Sequence, residues 1–322
     1  MKEKQRLYFE PNARVTVGSI VFDQVNAVVI NESVLNLSNS ATVTLPRNFK
    51  EMDGKSPLDF MNVGDKVIIE LGYDENYSVE FTGYLAEIEA GIPLILHFDD
   101  EMYPLKQNRF KKTFPSIKLK ELLIYIAPSY TIECSDVELG QFQIANVSTF
   151  RVLEALQQQF GFYTKLKNGV LRCFYPFDFE YFQNHKYQFA VNIKKQEGLT
   201  WHRAEDVKIR VKGIANQRDG EKLTYETGSE DSDASRRTLN YGDINYNELV
   251  ERVEADYKRF AFDGYSGDVN GWGIPETHAG DILTIIDNDE PEREGDYLIE
   301  KVVITYSLDQ GFNRKNTLSY KV

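Results

Sequence analysis

Two stretches of this 322-residue chain, more than two hundred residues apart, follow one pattern. The first reads Val63-Gly64-Asp65-Lys66-Val67-Ile68-Ile69 and resumes at Phe81-Thr82-Gly83-Tyr84-Leu85-Ala86-Glu87-Ile88. The second reads Ala279-Gly280-Asp281-Ile282-Leu283-Thr284-Ile285 and resumes at Gly295-Asp296-Tyr297-Leu298-Ile299-Glu300-Lys301-Val302. In each, a Gly-Asp turn opens an aliphatic strand, a polar hairpin tip follows, and a strand with Gly and Tyr-Leu returns. Gly64, Asp65, Gly83 and Tyr84 mark one copy; Gly280, Asp281, Gly295 and Tyr297 mark the other. Such a duplication predicts two similar antiparallel β-barrel domains in one chain.

Apolar residues make up 42% of the sequence, enough to fill the cores of two or three domains. No stretch approaches the roughly 18 apolar residues of a membrane helix, and Met1-Lys2-Glu3-Lys4-Gln5-Arg6 lacks the apolar run of a secretory signal. The expectation is a protein assembled in the cytoplasm without membrane insertion. A net charge of −13 opposes tight binding to a nucleic-acid backbone, which needs cations to displace counterions. It allows contact with nucleic acid that slides past. Cys134 and Cys173 have no metal or redox spacing and are expected as buried free thiols.

Strand patterns follow one another from Arg14 to about Asp100. From about Tyr103 to Phe179 the period turns helical twice, over 119–126 and over 149–160, the second with Ser148 as N-cap and Gly161 at the C-terminal cap. Short strands flank these helices, which predicts a small α/β insert. Strand patterns return from about Leu199. The stretch 219–233, with Asp219, Glu221, Glu226, Glu230, Asp231 and Asp233 against Lys222, reads as an acidic loop, and its Gly228-Ser229-Glu230-Asp231-Ser232-Asp233 tract as mobile. A helix over 246–262 follows, and Gly264, Gly267, Gly271 and Gly273 read as a loop crossing between elements. The fold class is therefore mainly β with an α+β insert. A first barrel spans 1–102, the α/β domain 103–179, and a second barrel 180–322, interrupted by a loop and helix at about 219–274.

The residues offer no convergent catalytic set. His97, His185, His202 and His278 lack metal-ligand spacing, and no phosphate loop or nucleophile elbow occurs. No catalytic residue, cofactor or metal is expected. Asp99 and Glu101 are the acids that a wall hydrolase could use, although adjacent strand residues such as Asp99 and Asp100 face opposite ways. Asp287-Asn288-Asp289-Glu290-Pro291-Glu292 has the composition of a calcium loop without its Gly and terminal Glu, and reads as a hairpin tip. Trp201 and Trp272 could stack on sugars in a carbohydrate- or receptor-binding module. One segment departs from the acidic background: Lys106, Arg109, Lys111, Lys112, Lys118 and Lys120 lie between Pro104 and Lys120 with no acid among them. It reads as a solvated linker or as a docking segment for an acidic partner.

Three stretches together resemble the late control protein D group of phage tail proteins, and the N-terminal part of VgrG is similar. They are Phe81-Thr82-Gly83-Tyr84-Leu85-Ala86-Glu87-Ile88, Leu96-His97-Phe98-Asp99-Asp100-Glu101-Met102-Tyr103-Pro104-Leu105-Lys106-Gln107 and Phe114-Pro115-Ser116-Ile117-Lys118-Leu119-Lys120-Glu121-Leu122-Leu123. Ser40-Ala41-Thr42-Val43-Thr44-Leu45-Pro46-Arg47 fits the same pattern. The resemblance implies a non-enzymatic baseplate hub of a phage tail or contractile injection system. It implies a homotrimer in which two barrels per chain make a ring of six, matching a threefold spike to a sixfold tube around a channel that DNA passes through. Tail tube and baseplate proteins would be its partners, and the assembled particle its location. VgrG proteins continue into a needle that is not seen here, so a separate spike protein is expected beneath the trimer. A tail-associated peptidoglycan hydrolase and a glycan-binding module are the alternatives.

Overall fold

The computed structural model describes residues 10–46, 59–89, 91–175, 183–195, 198–217 and 221–322. Met1–Arg6, Arg47, the expected boundary at Phe179 and Asp219 lie outside them. The first β unit holds β1 (Pro11–Val17), β2 (Ile20–Phe22), β3 (Ala27–Ser33), β4 (Ser40–Leu45), β5 (Lys66–Tyr73), β6 (Asn76–Glu89) and β7 (Leu94–Asp99). Its strands lie side by side in the order β3-β4-β7-β6-β5-β1-β2. Residues alternate in and out along them. In β4, for example, Ala41, Val43 and Leu45 are buried between half-exposed threonines.

Between the β units the chain forms β8 (Phe110–Lys118), α1 (Leu119–Ile126), β9 (Thr131–Cys134), β10 (Glu138–Val147), α2 (Thr149–Phe160), β11 (Tyr163–Lys167) and β12 (Val170–Phe174). The helix limits match those expected. Ser148 Oγ accepts the Arg151 N–H at 3.3 Å, and Gly161 closes α2 at φ +73°, a conformation costly for any residue with a Cβ. This insert has its own core, with Leu119, Leu122, Leu123, Leu153, Leu156 and Phe162 all but sealed from solvent. β8 and β10 were not foreseen. They form a two-stranded ribbon in which β8 is mostly exposed and carries little apolar alternation, while β10 buries Leu139, Phe142 and Ile144.

The second β unit holds β13 (Asn184–Gln188), β14 (Ile193–Lys195) and β15 (Leu199–His202). A smaller layer follows, made of β16 (Ile209–Asn216), β17 (Lys222–Gly228), β18 (Ser235–Tyr241) and α3 (Tyr246–Phe260). The unit is completed by β19 (Gly264–Trp272), β20 (Ile282–Ile286), β21 (Gly295–Ser307) and β22 (Gly311–Lys321). Two expectations are corrected here. Much of the acidic stretch is strand: β17 pairs with β16, and Leu223 and Tyr225 pack beneath α3 while Lys222, Thr224 and Glu226 face out. The glycine-rich crossing is strand too, because β19 pairs with β22. Its glycines are packing devices. A Cβ on Gly264 would sit 2.6 Å from the Phe262 ring and one on Gly271 2.7 Å from the Tyr187 ring.

The two β units share one sheet and one core. β3 pairs antiparallel with the far half of β21, from Lys301 opposite Ser33 to Ser307 opposite Ala27. Val28, Ile30, Val302 and Ile304 are completely buried along this seam. Each such side chain contributes about 1.5–3 kcal/mol relative to exposure, so the seam is built as protein interior.

Candidate functional site: the seam between the two β units

The Gly-Asp turns bind their neighbouring strands in the same way. Gly64 N–H donates to the Leu85 carbonyl at 2.7 Å, and Leu85 N–H donates to Asp65 at 2.8 Å. Gly280 N–H donates to Ile299 at 2.8 Å, and Ile299 N–H donates to Asp281 at 2.9 Å. In each turn an aspartate carboxylate also accepts the N–H of the residue three before it, Asn62 at 2.8 Å and His278 at 2.9 Å. Both glycines need a positive φ, +97° at Gly64 and +100° at Gly280. A bulge follows at the same place in both long strands, between Leu85 and Glu87 and between Ile299 and Lys301.

Matching the turn hydrogen bonds makes Leu85 the counterpart of Ile299, so Tyr84 corresponds to Leu298 and Gly83 to Tyr297. The two signature tyrosines are not equivalent in space. Tyr84 stacks on Tyr103 with centroids 5.4 Å apart, at the start of the insert. Tyr297 is wholly buried, and its hydroxyl accepts the Tyr265 N–H at 3.0 Å. Gly83 is held against β7, where a Cβ would meet the Asp99 carbonyl oxygen at 2.1 Å. Gly295 faces the flexible end of Lys321 and the edge of the Tyr297 ring.

Polar groups from both units meet at the seam. His278 Nδ1 lies 3.1 Å from the Glu32 carboxylate and Nε2 lies 3.2 Å from Glu276, while Glu32 also accepts the Ala279 N–H. Burial disfavours a charged imidazole here, but the two carboxylates outweigh it and push the His278 pKa up to about 10. Burial would raise Glu32, yet the hydrogen bond and charge of His278 hold it below the ordinary carboxylate value. Beside them His185 Nε2 meets the buried Asp281 at 3.0 Å. Lys165 of the insert lies near Glu32, Asp100 and Asp281, whose charges only partly offset the lowering of its pKa by burial.

A second joint lies on β22. Arg314, fully buried, pairs with Glu80 of β6 and donates to the Gly273 and Thr277 carbonyls. Burial raises the Glu80 pKa in spite of this partner, and among the described residues its second oxygen has no hydrogen-bond partner. Tyr73 of β5 adds a bond from its hydroxyl to the Phe312 carbonyl at 2.9 Å and accepts the Gly273 N–H. Glu32, Glu80, His278 and Arg314 could not have been chosen from the sequence. Glu32 is the lone charge of β3, which signals a buried polar contact without naming the partner, whereas Arg314 beside Lys315 and His278 between Glu276 and Asp281 look like ordinary polar segments.

The basic segment falls on the β8 ribbon and its approach. Lys106 pairs with Asp99 at 2.7 Å, Arg109 reaches the Asn146 carbonyl at 3.4 Å, and Lys118 lies 3.7 Å from Asp136. Lys112 sits over the rings of Phe114 and Tyr125 at 4.7 and 4.5 Å, and Lys111 and Lys120 are exposed. Lysines and Pro115 on an exposed edge strand also keep other strands from adding to it.

Of the acids weighed for hydrolysis, Asp99 is taken by Lys106. Asp100 accepts from the Ser38 hydroxyl and from the N–H groups of Asn39 and Met102, closing the turn after β7. Asp287 accepts the N–H groups of Asp289 and Glu290 and the Tyr265 hydroxyl. Among the described residues no group of three or more His, Cys, Asp or Glu is placed to hold a metal ion. Trp272 is half exposed, with the Lys194 ammonium 3.4 Å above its ring.

No family model matches this sequence, and no curated protein is similar to it. Solved structures do match along the whole length. The 43 kDa tail protein of prophage MuSo2 from Shewanella oneidensis has a TM-score of 0.62 at 12% identity over 96% of this chain and 98% of its own. A tail protein from Neisseria meningitidis MC58 has a TM-score of 0.63 at 14% identity, with 97% of each chain covered. The Escherichia coli c3393 protein is a type VI secretion system component similar in structure to the T4 bacteriophage tail proteins gp27 and gp5. It has a TM-score of 0.57 at 7% identity over 95% of this chain and 76% of its own. Two β units fused through β3 and β21, with an α/β insert between them, thus give this chain the fold of phage tail proteins.

Proposed function

We propose that this protein is a structural hub of a phage tail or contractile injection system baseplate. Three copies would form a ring of six β units that joins a central spike to the tail tube and surrounds the channel. The observation that carries the reading is the repetition of one turn, one bulge and one strand order in two units welded edge to edge. A threefold assembly can present six quasi-equivalent surfaces only if each chain supplies two. The fold shared with tail proteins and with a secretion component points the same way. In this reading Gly64, Asp65, Gly280 and Asp281 set the shared turns, the basic segment from Lys106 to Lys120 docks an acidic baseplate or tube partner, and DNA is passing cargo. The particle, not the cytoplasm, would be the working location.

Light scattering of the purified chain over a range of concentration and salt tests this. A species near three times 37.1 kDa is expected; a monomer throughout the range would overturn the ring. The exposed Trp272 supports a second reading, a glycan-binding tail module. Binding to a glycan array that is lost in Trp272→Ala would favour it.

A further inference from the structure

The internal seam specifies where a second copy of the chain attaches. β21 uses one edge for β22; on its other edge it pairs first with β20 and then, past Ile299, with β3. β6 begins alike, with β5 on one edge as far as Leu85 and β7 on the other. Past Leu85, however, no described strand takes the place of β3, and Glu87, Ile88 and Glu89 present a free edge. The second unit has the complementary deficit. Tracing the pairs outward from Leu85 and Ile299 matches Phe98 with Leu318, Ala41 with Gly267 and Ile30 with Leu199. β15 is therefore the counterpart of β3, and among the described residues it pairs only with β19.

Resting on the trimeric reading above, we infer that β15 of one copy pairs antiparallel with the end of β6 of the next, repeating the β3–β21 seam between chains. The register follows from the internal one. Ser33, Glu32 and Asn31 lie opposite Lys301, Val302 and Val303, so His202, Trp201 and Thr200 lie opposite Glu87, Ile88 and Glu89 of the neighbour. Side chains support this register independently of the backbone. Trp201, with Leu199 beside it, and Ile88 are partly buried apolar residues that pack on the core at the two free edges, and Trp201 and Ile88 correspond to Glu32 and Val302, which the internal seam buries. His202 meets Glu87 on the opposite face. Both edges are short and β6 carries two acids, features that discourage pairing with unrelated strands.

The Val34 N–H bond to the Glu300 carbonyl makes that couple hydrogen-bonded, so Asn31 and Val303 form a non-hydrogen-bonded pair, the kind with the closest side chains. Their counterparts Thr200 and Glu89 are both exposed, which suits a cysteine test without loss of folding. In a Cys134→Ser background, the double variant Thr200→Cys/Glu89→Cys is expected to give reducible covalent dimers and trimers on mild oxidation, while each single variant gives none. A wild-type chain of trimeric mass whose folded double variant never cross-links would overturn this seam and leave the hub reading standing. A wild-type chain that stays monomeric at every concentration would remove both.

Discussion

The two Gly-Asp turns have the same backbone and opposite surroundings. Asp65 sits half exposed at the rim of the first unit, bonded to the Asn62 N–H and near Gly18. Asp281 is 2% exposed, shares its carboxylate between the His278 N–H and the His185 ring, and lies beside the Glu32–His278 pair. One local sequence thus builds one turn twice, and only the second has been drawn into the joint between units. The geometry of the turn is local; its electrostatics belong to the seam.

The comparison breaks most visibly at Arg314, which ties the second unit to Glu80 of the first. Arg314→Met leaves a buried carboxylate unpaired and is expected to cost about 3–5 kcal/mol in urea unfolding. Adding Glu80→Gln should recover part of that loss. If Arg314→Met alone is nearly neutral, the two units are not coupled through this pair.

Gly64→Ala and Gly280→Ala test the likeness itself. Both force a side chain into positive φ, and each should cost about 1–3 kcal/mol by the same measurement. A large inequality would mean that the turns differ in more than their surroundings.

Asp65→Asn and Asp281→Asn test the difference. Loss of a charged hydrogen-bond partner in the buried site should cost about 2 kcal/mol, and the exposed change about half of that. Equal costs would show that the seam adds nothing to the turn.

The last test is a matter of pH. His278 holds its proton more tightly in the folded state, at about 10 against 6.5, so its stabilisation is complete below pH 6.5 and fades as pH rises toward 10. Glu32 is shifted the other way, and its contribution is present above its ordinary value and lost as acid protonates it. Thermal melts from pH 6 to 10 should show a decline in the wild type that His278→Gln flattens. An unchanged slope in that variant would place the titrating group elsewhere.

Patterns of short range were legible in the sequence. The alternation of β4, the apolar stripe of α2 with Ser148 and Gly161 at its ends, and both Gly-Asp turns are each decided by residues within one turn or one strand. Where neighbours in space set the rule, the local pattern misleads. β19 looks like a loop because its glycines make room for Tyr187 and Phe262, and β17 looks disordered because only one of its faces has a helix to pack on. The matching of Tyr84 with Tyr297 failed for a related reason: a shift of one residue turns a side chain to the other face, and the shift is visible only in the ladder.

By itself the sequence determined that this protein repeats a β unit and places an α/β insert between the copies. The tertiary structure alone decided that the copies join through β3 and β21, that Glu32 meets His278 across 246 residues, and which edges remain free. Local pattern is written in periodicity and turn chemistry. Pairing between distant strands depends on which hydrogen-bonding edges are left when every core is filled, and no window of sequence contains that information.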